Sequence, residues 1–419
     1  MMFPPTMQAM KVSLRTDMRA YERLLKYVTV DTTSDGNSES VPTTKRQFDL
    51  ARILVDELKQ LGVNDARCDD MCYVYGSIPA TKGFENKPAV GLIAHLDTSS
   101  DYNGCGVTPV IHENYDGNDI VIGDKVIETS KFTHLKGLVG RTIITSNGDS
   151  LLGADDKAGI AEIMTVVERL GEINHPKVCV CFTPDEEVGS GADHFDVAGF
   201  GADVAYTLDG AYEGEIVYEN FNAYEAIFEI KGYNVHPGEA KDKMINAANV
   251  ACEINSMLPA CETPRDTELY EGYYHLHNMK GNCEEAVLEY IIRDHDSSIM
   301  EARLNTLRHI EKIINHRYSD DCVKLRIREQ YRNMADIIRQ NYSIVENALE
   351  AIRSLGVEPS VLPMRGGTDG ARLSFMGLPC PNLGTGSYGH HGPYEHADVQ
   401  GMDTVVEIAL AILKSYAEK

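Results

Sequence analysis

The chain has 419 residues, of which 43% are hydrophobic and 25% charged, a composition that excludes a disordered chain and suffices for a large hydrophobic core and a second one. Its 39 lysine and arginine residues against 64 aspartate and glutamate residues give a net charge of −25, which argues against nucleic acid and anionic membranes as partners. No stretch approaches the roughly 18 apolar residues of a membrane span, and the first 18 residues lack the apolar run of a signal peptide, so we expect a cytoplasmic protein.

In the first half of the chain, predicted helices alternate with short buried strands. Apolar residues recur at helical spacing over about 43–62 and again over about 157–170. Three short apolar runs predict strands that are buried on both faces, at 90–94, 177–182 and 204–208. This alternation predicts an α/β fold with a mostly parallel central sheet flanked by helices.

A different pattern begins near residue 221. Its elements are, in order, a strand at 224–230, a helix at about 241–258, strands at about 272–280 and 284–293, a helix at about 297–315 and a strand at 323–327. This βαββαβ order is that of the ferredoxin-like split unit, a compact fold of its own. We therefore predict an inserted domain over 221–332, with 1–220 and 333–419 forming the main domain. Helices at about 343–355 and 403–416 complete the main domain.

Each predicted buried strand of the main domain runs directly into acidic or histidine residues. Strand 90–94 leads to His95 and Asp97, which lie two residues apart on an extended chain and so face the same side. The other two strands lead to a run of three acids and to a single one, namely Asp185, Glu186 and Glu187 after strand 177–182 and Asp209 after strand 204–208. Because ligands bind at the carboxyl ends of parallel strands, we expect these side chains to form one site.

Two further clusters contain residues of the same types. Asp155 and Asp156 stand in tandem before the second helix, and helix capping explains one aspartate there but not the pair. His390 and His391 lie in a glycine-rich loop. Solvated acidic turns or a structural histidine would explain any one of the five clusters, but not all five together.

Imidazole and carboxylate ligands without cysteine suit divalent zinc, cobalt or manganese. Two metals that share a bridging carboxylate would use this many ligands and would make a nucleophile from water at neutral pH. One carboxylate must stay off the metals to take the proton of that water, and the adjacent acids at 185–187 supply one for each role.

The five clusters resemble, in order, the metal-site motifs of the M20 metallopeptidases, and the resemblance runs from about residue 21 to the end of the chain. The motifs are His95-Leu-Asp97-Thr98, Gly153-Ala-Asp155-Asp156-Lys157-Ala-Gly159, Pro184-Asp-Glu186-Glu187-Val-Gly189, Leu208-Asp209-Gly210 and His391-Gly392. The resemblance implies a zinc-peptidase fold whose inserted domain is a lid that also forms a homodimer. It implies an aminopeptidase that removes the N-terminal residue from tripeptides with two divalent metal ions, zinc first, with cobalt or manganese as alternatives.

The resemblance also implies a role for each site residue. His95 and Asp209 would bind one metal, and Glu187 and His391 would bind the other. Asp155 would bridge the two metals, with a cis peptide bond to Asp156. Glu186 would be the general base, and Asp97 would orient His95 from behind.

Three more motifs resemble those of the family's tripeptide aminopeptidases, namely Asn234-Val-His236-Pro237-Gly238, Tyr290-Ile-Ile-Arg293-Asp294 and Arg365-Gly-Gly-Thr-Asp369-Gly370. By this resemblance His236 would reach across the dimer to polarise the scissile carbonyl of the substrate. Arg293 would help to hold the peptide.

The sequence departs from the family pattern in places, and these leave alternatives open. An extension of about 18 to 20 residues precedes the first helix and has no assigned role. In the loop at 384–391 the ligand is expected at His391, which directly precedes Gly392, with His390 as the alternative. The alternatives in function are a dipeptidase or an N-acyl amino acid hydrolase of the same family, and a catalytically silent metal-binding scaffold.

Overall fold

A computed structural model describes residues 18–419 and is built around a seven-stranded mixed sheet. Its four inner strands are parallel to one another, and the three outer strands pair antiparallel to their neighbours. Across the sheet the strands lie in the order Arg67–Cys68, Val74–Ile78, Val178–Thr183, Val90–His95, Val204–Gly210, Asn382–Gly384 and Ile216–Val217. The predicted parallel strands are therefore present, and they are neighbours at the centre of the sheet.

Helices cover this sheet, as the α/β pattern predicts. They are Ala20–Tyr27, Gln47–Gln60, Ala154–Arg169, Val197–Phe200, Ala335–Gln340, Ser343–Ser354, Asp369–Phe375 and Val399–Glu418. Helix Ala154–Arg169 is buried along most of its length because it packs against the strand Val90–His95 on one side and the helices Ala20–Tyr27 and Val399–Glu418 on the other. This packing fixes the start of the helix, which carries Asp155 and Asp156, against the carboxyl edge of the sheet.

A second sheet of four antiparallel strands, in the order Tyr273–Gly281, Glu285–Asp294, Asn222–Lys231 and Val323–Tyr331, carries the helices Ala247–Ser256 and Ser297–Arg317. It encloses its own cluster of buried apolar side chains. The first helix is shorter than predicted, because the Asn246 side chain accepts a hydrogen bond from the Asn249 amide and starts the helix there. The order of elements is the predicted βαββαβ, and we propose that this unit is the inserted domain at 221–332.

Two small sheets were not predicted. One is formed by Ser387–Tyr388, His396–Asp398, Ile143–Ser146 and Pro109–His112, and the other by Ile120–Ile122 and Lys125–Ile127. The first matters for the site, because the loop with His390 and His391 connects its antiparallel strands Ser387–Tyr388 and His396–Asp398. The loop is thereby held at both ends.

Within residues 18–419, no helix is both long enough and apolar enough to cross a membrane. The predicted N-terminal extension lies almost wholly outside the described residues, as does most of the segment on which the expectation of a cytoplasmic protein rests.

Candidate metal centre

The structure brings side chains from all five predicted clusters together at the carboxyl edge of the central sheet. Four of the clusters line one cavity of about 380 Å³, together with residues from the start of helix Asp369–Phe375 and the segment before it. Among the cavity residues are Asp155, Glu186, Glu187, Asp209, His390 and His391. His95 lies just below this surface and is almost fully buried.

One group of potential ligands is centred on His95. Its Nε2 atom lies 3.0 Å from Oδ1 of Asp155 and 3.5 Å from Oδ1 of Asp209. Its Nδ1 atom lies 2.9 Å from the carbonyl oxygen of Asp97 and 3.5 Å from Oδ1 of the same residue. Since a carbonyl oxygen can only accept, Nδ1 carries a proton, and Nε2 is the ring nitrogen that faces the carboxylates of the site.

A second group is centred on His391. Its Nε2 atom lies 2.9 Å from Oε2 of Glu187 and 3.3 Å from Oδ2 of Asp155. The neighbouring His390 faces Oδ2 of Asp155 with Nδ1 at 3.4 Å, but its Nε2 is paired with the hydroxyl of Ser387 at 2.9 Å. His391 therefore contacts two carboxylates of the site, whereas His390 contacts one.

The two aspartates of the tandem pair have different surroundings. Asp155 presents one oxygen to each histidine group, and the peptide bond to Asp156 is cis, as the resemblance implies. Asp156 is buried and accepts the backbone N–H groups of His95 at 3.1 Å and Gly159 at 3.2 Å. The capping explanation thus applies to Asp156, while Asp155 faces both histidine groups.

The three adjacent acids also separate. Asp185 turns away from the cavity and accepts hydrogen bonds from the Thr43 backbone and the Gln47 side chain. Glu186 and Glu187 both line the cavity, and their backbone N–H groups donate to Asp97 at 2.9 and 3.2 Å. Asp97, which is fully buried, therefore holds the acidic turn as well as facing His95.

The charges at this site suit divalent cations. Burial raises the pKa of Glu187 to about 7 and, together with the nearby carboxylate of Asp209, raises that of Glu186 well above its ordinary value. Burial also raises the pKa of Asp209. Burial acts in the same direction on Asp155, but the nearby His390 and hydrogen bonds from His391 and His95 hold its pKa well below the usual range. Carboxylates crowded in this way are stabilised by positive charge.

The donor atoms also fit metal ions. Oε1 of Glu187 is buried and has no hydrogen-bond partner within the described part of the chain, as expected for an oxygen that binds a cation. Ligand atoms of His95, Asp155 and Glu187 lie within 4.8 Å of one another, as do those of His95, Glu186 and Asp209. Glu186 thus belongs to one of the two groups of potential ligands, and its assignment as the base rests on the resemblance.

Sequence reasoning did not assign three side chains of the cavity wall, Tyr331, Asp369 and Arg372. Asp369 is a buried carboxyl that accepts a hydrogen bond from the Thr183 hydroxyl at 2.7 Å, and burial raises its pKa to about 7. The signal for it was present, since Asp369 is the acid of the segment Arg365-Gly-Gly-Thr-Asp369-Gly370, whose paired glycines mark a close approach of the backbone.

The two predicted substrate residues lie outside the cavity wall. His236 is exposed, and its Nδ1 accepts the backbone N–H of Gly238 at 3.1 Å. Arg293 is half-buried and lies over the ring of Tyr331 at 5.3 Å, so it reaches the cavity only through that ring.

Comparison with known proteins gives consistent matches. The sequence pattern of Peptidase family M20/M25/M40 matches residues 152–415. A protein named peptidase T from Desulfitobacterium hafniense strain Y51 is 49% identical over 95% of this chain and 98% of its own length. Another of that name, from Caldanaerobacter subterraneus subsp. tengcongensis, is 48% identical over 96% of this chain and 99% of its own length. The crystal structure of aminopeptidase PepT from Bacillus cereus has the same fold, with a TM-score of 0.76 at 22% identity over 96% of this chain and 98% of that one.

Proposed function

As a member of peptidase family M20/M25/M40 with relatives named peptidase T, the chain is a metallo-aminopeptidase that acts on peptides, and we propose that it removes the N-terminal residue from tripeptides with two bound zinc ions. Cobalt and manganese are the alternative metals, because they accept the same imidazole and carboxylate ligands.

The arrangement of Asp155 carries this proposal. Its two oxygens face two separate groups, each of which contains one histidine and one further carboxylate. We assign His95 and Asp209 to one metal, Glu187 and His391 to the other, and Asp155 to both. This set has the composition of a two-metal hydrolytic site, and the lone pairs of His95 and His391 can point at different ions.

When bound, two such ions lower the pKa of a water molecule and polarise the carbonyl of the scissile peptide bond. Glu186, in the cavity wall and assigned to neither metal, takes the proton of the attacking water and passes it to the leaving amine. Its raised pKa suits both halves of this transfer. Asp97 fixes the backbone of Glu186 and Glu187 and the ring of His95, so it holds the base and the ligands in a common frame.

The charge of the cavity supports a substrate with a free amino terminus. Five carboxyl groups line the wall, and Asp369 is the one that has no assigned role toward metal or water. A protonated amine would gain favourable interactions there, whereas an acylated one would not.

We propose further that His236 polarises the scissile carbonyl of a partner subunit's substrate, that Arg293 helps to hold the peptide, and that the domain at 221–332 forms the homodimer. The proposed location is the cytoplasm.

A substrate panel tests this function. The purified protein with added zinc is offered an unblocked tripeptide, its N-acetylated form and the corresponding dipeptide, and the products are identified by mass spectrometry. We expect the free tripeptide alone to be cleaved efficiently, with release of its first residue. Preferred cleavage of the dipeptide or the acetylated peptide would instead identify a dipeptidase or an N-acyl amino acid hydrolase.

A further inference from the structure

Glu395 is a buried carboxylate beside the metal centre that the mechanism above does not use. It is 1% exposed, and both of its oxygens are occupied. Oε2 accepts the backbone N–H of Gly153 at 2.7 Å, and Oε1 accepts the backbone N–H of Asp155 at 2.9 Å. One of these partners is the backbone of Asp155, which we assign as the bridge between the metals, and the other lies two residues before it.

These two N–H groups lie at the start of helix Ala154–Arg169, that of Gly153 at the N-cap and that of Asp155 in the first turn, where backbone donors lack acceptors in the helix itself. The chain there is not helical, since Gly153 has a φ of 78° and Asp155 has φ and ψ of −85° and 100°. Glu395 therefore satisfies donors that burial would otherwise leave unpaired, and it defines where the Asp155 backbone lies.

Glu395 also connects two parts of the site. It lies four residues after His391, in the loop between strands Ser387–Tyr388 and His396–Asp398. One side chain thus ties the segment of the bridging aspartate to the segment of a histidine ligand. Asp97 does the same on the other side of the site, where it accepts the N–H groups of Glu186 and Glu187.

One buried cation stands near both of these carboxylates. Lys157 is 1% exposed, its Nζ donates to the carbonyl of Val30 at 2.7 Å, and its charge interacts with Glu395 and Asp97. Lys157 thus supplies a buried positive charge beside the two carboxylates that hold the ligand segments.

We propose that Glu395 is a positioning residue that fixes Asp155, through its backbone, between the two groups of metal ligands and keeps the His391 loop in register with it. The inference rests on the proposed two-metal function. Hydrogen-bonding partners of metal ligands typically contribute roughly 10- to 100-fold to metal affinity, and Glu395 would act in the same way through the main chain.

The test is a zinc titration of the metal-free protein by calorimetry, with the Glu395→Gln variant beside the unsubstituted chain. Glutamine keeps the size of the side chain but offers one acceptor, and it places an amide donor against a backbone donor. We expect zinc affinity to fall roughly 10- to 100-fold. Peptidase activity should fall at limiting zinc and recover as zinc is raised.

Asp398→Asn is the matched control. Asp398 is also fully buried, lies three residues further on, and accepts two backbone N–H groups, those of Gln400 and Gly401, but these belong to helix Val399–Glu418 and not to a ligand segment. This variant likewise replaces a buried carboxylate by an amide, and it also removes the ion pair with Arg141, so it should lower thermal stability while zinc affinity stays that of the unsubstituted chain.

The possible failures are distinguishable. If the unsubstituted protein binds no zinc, the proposed function fails; if it binds zinc and Glu395→Gln binds it as tightly, only the role of Glu395 fails. Hydrogen exchange on the unsubstituted protein provides a check that needs no variant. The amides of Gly153 and Asp155 should be protected even without metal, and exchange at the rate of exposed loop amides would refute the positioning role.

Discussion

Acidification should destabilise this protein through one buried histidine. His396 is fully buried, and its Nδ1–H donates to the carbonyl oxygen of Tyr394 at 2.8 Å. Its Nε2 lies 2.9 Å from Nε2 of His134, so that nitrogen must accept a hydrogen bond from the second ring. Burial lowers the pKa of His396 to about 4, because a proton on Nε2 would be desolvated and would break this hydrogen bond.

The size of the effect follows from the two pKa values. In the unfolded chain a histidine titrates near 6.5, whereas in the folded protein His396 titrates near 4. The folded-state pKa is the lower one. The contribution of neutral His396 to the free energy of unfolding is therefore complete above about pH 6.5 and is lost as the pH falls toward 4. Between pH 7.5 and pH 5.0 the unfolded chain gains a proton that the folded chain does not, which costs about 2 kcal/mol of unfolding free energy.

The assay is urea unfolding of the metal-free protein at both pH values, for the unsubstituted chain and for His396→Gln. Glutamine does not titrate, and every other titrating group is common to the two proteins. On acidification we expect the free energy of unfolding of the unsubstituted chain to fall by about 2 kcal/mol more than that of the variant. Equal losses in the two proteins, or a larger loss in the variant, would show that His396 does not stay neutral in the folded state.

Three further predictions concern the site and its support. Glu186→Gln should lower kcat roughly 100- to 10,000-fold with unchanged zinc content, as measured by steady-state kinetics and elemental analysis; retained activity would remove Glu186 as the base. His391→Ala should lose one of two zinc equivalents while His390→Ala keeps both, and the reverse result would exchange their roles. Gly159→Ala should destabilise the fold by about 1–3 kcal/mol, because its Cβ would lie 2.0 Å from the Leu208 carbonyl oxygen; an unchanged melting temperature would contradict this packing.

Local sequence patterns predicted the elements on which the site is built. The apolar runs at 90–94, 177–182 and 204–208 became neighbouring central strands, and the polar residues that follow them meet at one edge. Such a prediction works because the position after a buried strand is fixed by the strand itself. The short strands Ser387–Tyr388 and His396–Asp398 escaped prediction, since two or three residues are too few to show a period.

Other features of the site depend on contacts between distant parts of the chain. Glu395 binds backbone atoms about 240 positions earlier, and nothing in its own neighbourhood indicates this partner. The tandem acids Asp155 and Asp156 look equivalent in sequence, but the backbone turns one toward the cavity and the other toward the His95 amide. Spatial neighbours, not residue types, separate these roles.

The most direct test of the account is stepwise reconstitution of the metal-free protein with zinc, followed by hydrolysis of an unblocked tripeptide at each addition. The arrangement of ligands on both oxygens of Asp155 predicts that activity saturates at two zinc ions per chain and that a chelator abolishes it. Full activity at one zinc ion per chain, or activity that survives complete removal of metal, would contradict the two-metal site.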